Sequence, residues 1–249
     1  MTNWSFALGA SAVALAHGAF ETSAVWSKVQ AKLTADGFAN VAIDLPGRDA
    51  IAASASGASL VLYRDAVLAK LASEPRLVVL VGHSFGGMTI SAAAEAAPAK
   101  IATLVYVAAY LPTNGESPFQ LSQMEKDGKM GPAFRVSDDK STASVDPAAR
   151  AALFCNDCAE DVAGSVADAI VSEPLAPLAT PVALTAERFG RVDKVYIRTA
   201  RDRVLSPSLQ AAMMKATPVG AAFTLDTGHA PFAAAPEALA DAIEKAASR

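Results

Sequence analysis

The sequence predicts an α/β fold: a mostly parallel sheet flanked by helices, with an inserted, mainly helical cap. Three observations predict it. Short apolar runs alternate with helix-like segments along most of the chain, the pattern of a sheet covered on both faces. Two of these runs, Leu77 to Val81 and Ile101 to Ala108, are apolar almost throughout, with Thr103 the one polar residue, as suits central strands buried on both faces. The alternation then fails over residues 112–191, where seven prolines from Pro112 to Pro181 punctuate short helix-like pieces. The expected organisation is therefore a core of residues 1–111 and 192–249 and a cap, or lid, of residues 112–191.

The elements follow in order. Val13 to His17 opens the sheet, and a helix from about Val25 to Ala35 ends at Asp36-Gly37, where glycine can take the left-handed turn that closes a helix. Phe38 to Asp44 is the next strand, broken by Pro46-Gly47. The Ala/Ser/Gly-rich stretch Ile51 to Ser59 reads as loop, and Leu60 to Ala72 recovers helical periodicity through Leu60, Tyr63, Val67, Leu68 and Leu71. Leu77 to Val81 leads through a glycine-rich turn into an alanine-rich helix that stops near Pro98. After the cap come a strand at Val192 to Thr199, a helix from about Ser208 to Ala216, a strand at Ala221 to Asp226 and a final helix after Pro236.

Composition narrows the function. The 249 residues are 52% hydrophobic and 18% charged, ample for one core, and the net charge of −4 with scattered Lys and Arg offers no basic stripe. Nucleic acid and membrane are not expected partners; a small molecule is. Phe6 to Ala16 is mostly apolar, but the first basic residue is Lys28 and the run is too short to span a bilayer. It is expected to be a core strand of a cytoplasmic protein. Cys155 and Cys158 form a Cys-x-x-Cys lacking the further ligands of a zinc site and the strand-to-helix setting of a redox site, so reduced or structural thiols are expected. Neither metal nor cofactor is implied.

The chemistry gathers at Gly82-His83-Ser84-Phe85-Gly86, which follows the strongest strand and opens a helix, the context a G-x-S-x-G nucleophile elbow requires. A serine hydroxyl is a weak nucleophile, so Ser84 needs a base. Of three histidines, His83 points away from its neighbour on a strand, and His17 is better suited to holding its loop. His229 follows the last strand and keeps the chain order nucleophile, acid, base. Asp202, just beyond the preceding strand, is the candidate carboxylate; Asp226 is the reserve, and a solvated charge beside Arg201 and Arg203 is the alternative reading. The oxyanion would be held by the backbone N–H groups of Phe85 and of Ala19 in the turn His17-Gly18-Ala19-Phe20. Gly18, Phe20, Phe119, Met124, Phe134 and Phe154 are candidate pocket residues.

Together Ala16-His17-Gly18-Ala19-Phe20, Asp44-Leu45-Pro46-Gly47, the stretch Val81 to Met88, the stretch Leu104 to Pro112, and the Asp202 and His229 segments resemble the cap-bearing α/β-hydrolases, which include plant methylesterases, bacterial carboxylesterases and hydroxynitrile lyases. The resemblance implies a triad of Ser84, Asp202 and His229 and no cofactor. Hydroxynitrile lyases of this family carry threonine where this chain has Gly18 and lysine where it has Ala230, so the resemblance implies ester hydrolysis over cyanohydrin cleavage. The loop Asp44 to Gly47 usually continues with His-Gly, whereas this chain has Arg48-Asp49.

The expected function is thus a serine hydrolase cleaving small, apolar carboxylic esters through an acyl-enzyme, with thioesters and amides open to the same parts. The rivals are a lyase or carbon-carbon hydrolase on the same scaffold, and a non-catalytic protein holding a small ligand in the pocket. Homodimer formation stays open.

Overall fold

The computed structural model describes residues 12–48 and 55–249. Phe6 to Ser11, Asp49 and the first part of the expected Ile51 to Ser59 loop lie outside these residues. In chain order the elements are β1 (Ala12–Ala16), α1 (Ser27–Ala35), β2 (Asn40–Ile43), α2 (Leu60–Ala72), β3 (Val78–His83), α3 (Gly86–Ala96) and β4 (Ile101–Val107). An insert follows, with α4 (Pro118–Ser122), β5 (Phe134–Val136), β6 (Thr142–Val145), α5 (Arg150–Phe154), α6 (Glu160–Asp168), β7 (Glu173–Pro174) and α7 (Leu175–Ala179). The core resumes with β8 (Asp193–Thr199), α8 (Pro207–Ala216), β9 (Ala221–Leu225), α9 (Pro231–Ala234) and α10 (Pro236–Ala247).

Six strands pair in the order β2-β1-β3-β4-β8-β9, all parallel. The order reverses direction at β1 and β3, and loops at the carboxyl ends of parallel strands beside such a reversal form a natural ligand site. β3 and β4 are buried along nearly their whole length, as their predominantly apolar runs lead one to expect. One face of the sheet packs Ala14, Leu80, Leu104 and Tyr196 against α2, α3 and α8; the other packs Val13, Leu15, Val79, Val105 and Ile197 against α1 and α10. Alternating residues of each strand therefore feed opposite cores.

The insert between β4 and β8 adds a feature that the proline pattern did not reveal: a three-stranded antiparallel sheet, β5-β6-β7, beside its short helices. Strands of 3, 4 and 2 residues are too short to display alternation. Among the described residues no helix is long and apolar enough to cross a membrane.

Candidate active site

β3 delivers its last residue, His83, directly into a turn at Ser84 whose φ is +50°, and α3 begins at Gly86. A non-glycine residue in this left-handed region is strained. The strain is overcome by close packing that only glycine permits: a Cβ on Gly82 would lie 2.6 Å from the Gly86 carbonyl oxygen, and one on Gly86 2.8 Å from that of Ala16. The Ser84 amide donates to Val107 (3.1 Å) and its carbonyl accepts from Tyr110 (3.0 Å), so both neighbours of the turn are pinned to the end of β4.

Two distant loops meet this serine. The Ser84 hydroxyl lies 3.0 Å from His229 Nε2, and His229 Nδ1 lies 2.8 Å from Asp202 Oδ2. All three residues are at least nine-tenths buried. Asp202 is itself oriented: its carboxylate accepts from Thr199 Oγ1 and from the backbone amides of Val204 and Leu205, at 2.8 to 2.9 Å. Arg201, the neighbour that could have claimed it, pairs instead with Asp226, which lies on the surface.

Gly18 brings the turn after β1 against the serine, because a Cβ there would sit 2.9 Å from Ser84 Cβ. Within this turn the Gly18 amide donates to Glu21 Oε2 (2.7 Å) and the Phe20 amide, at φ +65°, donates to Glu173 Oε2 (2.9 Å). Among the described residues, neither the Ala19 amide between them nor the Phe85 amide has an intramolecular acceptor. His17 is a brace: Nδ1 donates to the Gly18 carbonyl at 2.8 Å, and Nε2 accepts from the Leu45 amide at 3.1 Å. Burial, aided by the positive charge of Arg48, lowers its pKa to about 3, which keeps the ring neutral.

Glu21, Glu173 and the function of Arg48 were not read from the sequence. Glu21 is an acid within an apolar turn, a signal that was available. Its Oε2 also meets His83 Nδ1 at 3.0 Å, while His83 Nε2 reaches the His229 carbonyl at 2.8 Å. Burial opposes both charges, but the two groups outweigh it for each other, raising the pKa of His83 and lowering that of Glu21. Arg48 pairs with Glu173 of β7 at 2.5 Å, and the Tyr63 hydroxyl donates to the other Glu173 oxygen at 3.2 Å. Burial raises the pKa of Glu173 against the opposing effect of Arg48.

The candidate pocket residues divide. Phe20, Phe134 and Phe154 join one apolar cluster with Leu153 and Ile170, and the Phe154 ring packs edge-on to His229 with centroids 5.8 Å apart. Phe119 and Met124 depart from the expectation: they are 63% and 46% exposed and lie outside that cluster, because α4 turns Pro118 and Leu121 inward instead. The cysteines also differ from expectation. Cys155 and Cys158 are disulfide-bonded, since the turn after α5 brings their Cα atoms to 5.3 Å, within bonding range. Three acidic side chains, Asp36, Asp241 and Glu244, cluster on the α1–α10 surface with Lys32 against them and are not among the groups around Ser84.

A family model described as "Alpha/beta hydrolase family" matches residues 13–242. The chain belongs to the α/β-hydrolase family. Among its relatives in Arabidopsis thaliana, "Putative methylesterase 11, chloroplastic" is 34% identical over 245 residues, covering 90% of this α/β-hydrolase but only 61% of the relative's length. Methylesterase 17 is 27% identical over 251 residues, covering 94% and 90% of the two chains. A pyrethroid hydrolase from Sphingobium faniae JZ-2 superposes with a TM-score of 0.84 at 25% identity, covering 96% of this chain and 97% of the other. A tomato methylketone synthase, at 20% identity, shares the fold with a TM-score of 0.86, covering 97% and 99%.

Proposed function

We propose that this α/β-hydrolase is a serine esterase acting on small, apolar carboxylic esters, with residues 112–191 as the cap over its site. The observation that carries this reading is the continuous chain from the Ser84 hydroxyl through His229 to the Asp202 carboxylate, at 3.0 and 2.8 Å. Ser84 Oγ attacks the ester carbonyl carbon while its proton passes to His229 Nε2, and Asp202 stabilises the imidazolium through Nδ1. The Ala19 and Phe85 amides, which have no other acceptor among the described residues, receive the oxyanion. The carbon-oxygen bond to the alcohol then breaks as His229 returns the proton to the departing oxygen. Water attacks the acyl-enzyme as His229 takes its proton, and the bond from the acyl carbon to Ser84 Oγ then breaks as His229 returns that proton to the serine, releasing the acid. The name of the methylesterase relative agrees with ester substrates, and that of the pyrethroid hydrolase with hydrolysis.

Two features favour hydrolysis over cyanohydrin cleavage. A threonine at position 18 would collide with Ser84 Cβ, and Ala230 is buried in the apolar cluster of Phe232 and Trp26, where a lysine would lose its hydration. A fluorophosphonate probe is expected to label the native protein at Ser84, and aryl ester turnover to fall by about 10⁴-fold or more in Ser84→Ala. Undiminished labelling of that variant, or cyanide release from a cyanohydrin without any ester turnover, would refute the assignment.

A further inference from the structure

The proposed oxyanion turn has an unusual support. Three successive amides occupy it, and the first and third are each held by a carboxylate that is almost wholly buried: Gly18 by Glu21 and Phe20 by Glu173, at 2.7 and 2.9 Å. Only the middle amide, that of Ala19, is left unpartnered among the described residues. Glu21 belongs to the turn itself, whereas Glu173 comes from β7 of the insert, 153 residues from Phe20.

We propose that Glu173 is a positioning residue for ester hydrolysis, through which the insert fixes the Phe20 amide and thereby aims the Ala19 N–H at the oxyanion. This rests on the esterase reading above. Phe20 has φ +65°, a conformation costly for an aromatic residue, and the insert holds it from both sides of the residue: the Val171 amide donates to the Phe20 carbonyl at 2.9 Å, and Glu173 accepts from the Phe20 amide. Arg48 and Tyr63 are the reason a carboxylate can sit in that place. Arg48 Nη2 neutralises Oε2, the same oxygen that accepts the hydrogen bond of the Phe20 amide, and the Tyr63 hydroxyl donates to Oε1. Arg48 also donates to the Leu45 carbonyl at 3.1 Å, and the Leu45 amide is bonded to His17, so one group of contacts ties β7, the loop after β2 and the oxyanion turn together. The departure from the usual His-Gly continuation of the Asp44 to Gly47 loop thus gains a physical role.

The test compares two double variants that both lack the Arg48–Glu173 charge pair and differ in whether the side chain at position 173 can form hydrogen bonds. Arg48→Met with Glu173→Gln keeps an oxygen for the Phe20 amide and a donor for Tyr63, without a lone buried charge. Arg48→Met with Glu173→Met keeps the volume and removes the acceptor. Turnover per fluorophosphonate-titrated site is expected to be about 10- to 100-fold lower in the Met variant, a share of what losing one oxyanion donor costs, with KM within about threefold. Inhibition by a trifluoromethyl ketone, whose adduct needs the oxyanion site, should weaken in the same proportion. Equal turnover per site in the two variants overturns the proposal, and so does a Met variant that does not fold while the Gln variant does, since that assigns Glu173 to stability alone. If the wild type hydrolyses no ester, the esterase reading fails. Protection of the Phe20 amide from hydrogen exchange, kept with Gln and lost with Met, then still tests the bracket by itself.

Discussion

Both ring nitrogens of His83 face acceptors, Glu21 on one side and the His229 carbonyl on the other, so the ring is held as an imidazolium with Glu21 as its counter-ion. Glu21, with its pKa below the ordinary 4.5, contributes stability that is present above that value and lost as pH falls through the depressed one. His83, raised above 6.5, contributes stability that is full below 6.5 and lost as pH rises through the elevated value. The pair therefore stabilises most between pH 4.5 and 6.5. Glu21→Gln is expected to destabilise the fold by about 3 kcal/mol inside this window, the scale for breaking a buried pair, and by less on either side. Urea midpoints of the two proteins across pH would show it; a difference independent of pH would contradict it. Asp202→Asn is expected to lower kcat by about 10⁴-fold with the fold intact, because the amide favours the wrong tautomer of His229. Single-turnover kinetics beside an unchanged thermal midpoint would check this.

At the scale of elements, the strand-turn-helix from β3 to α3 was legible because everything it needs is local: an apolar run, flanking glycines and a serine at fixed spacing. The same locality made the bounds of α2 readable, where Ser59 caps the first turn by accepting from the Leu62 amide and the helix ends before Pro75. What escaped was short or distant. α9 is four residues long, too few for a helical period to register, and β7 is two. The elbow predicts its own sensitivity. A methyl on Gly87 would run into the Tyr110 carbonyl oxygen, which belongs to backbone and cannot yield as a side chain does. Gly87→Ala is expected to cost about 3 kcal/mol by urea unfolding, the upper end for overpacking.

Across the whole molecule, the insert is fastened to loops bearing the candidate chemistry at more than one place. Glu173 holds the turn after β1. Glu125 accepts from the Ser206 amide and hydroxyl at 2.8 and 2.5 Å, and the Lys129 amide donates to the Arg203 carbonyl at 2.7 Å, so the loop beyond Asp202 is gripped as well. Such pairings were beyond sequence reading because Arg48 and Glu173 lie 125 residues apart, and neither carries a mark of its partner. Phe119 and Met124 show the complementary limit: being apolar placed them in the insert's inventory, but only packing decides which apolar side chains turn inward. Glu125→Ala is expected to lower stability by about 2 kcal/mol through loss of charge-assisted hydrogen bonds, read as a lower urea midpoint with an unchanged slope.

The neutral imidazole at the end of β1 sets a boundary on where this molecule can work. An unfolded chain accepts a proton on that ring at about pH 6.5, whereas the folded one resists until about pH 3. Below 6.5, each further unit of acidity tips the balance toward the open chain by up to about 1.4 kcal/mol from this ring alone. Acid therefore works against this fold from within, over the interval between those two values, so its acid tolerance is a property of architecture as much as of catalysis.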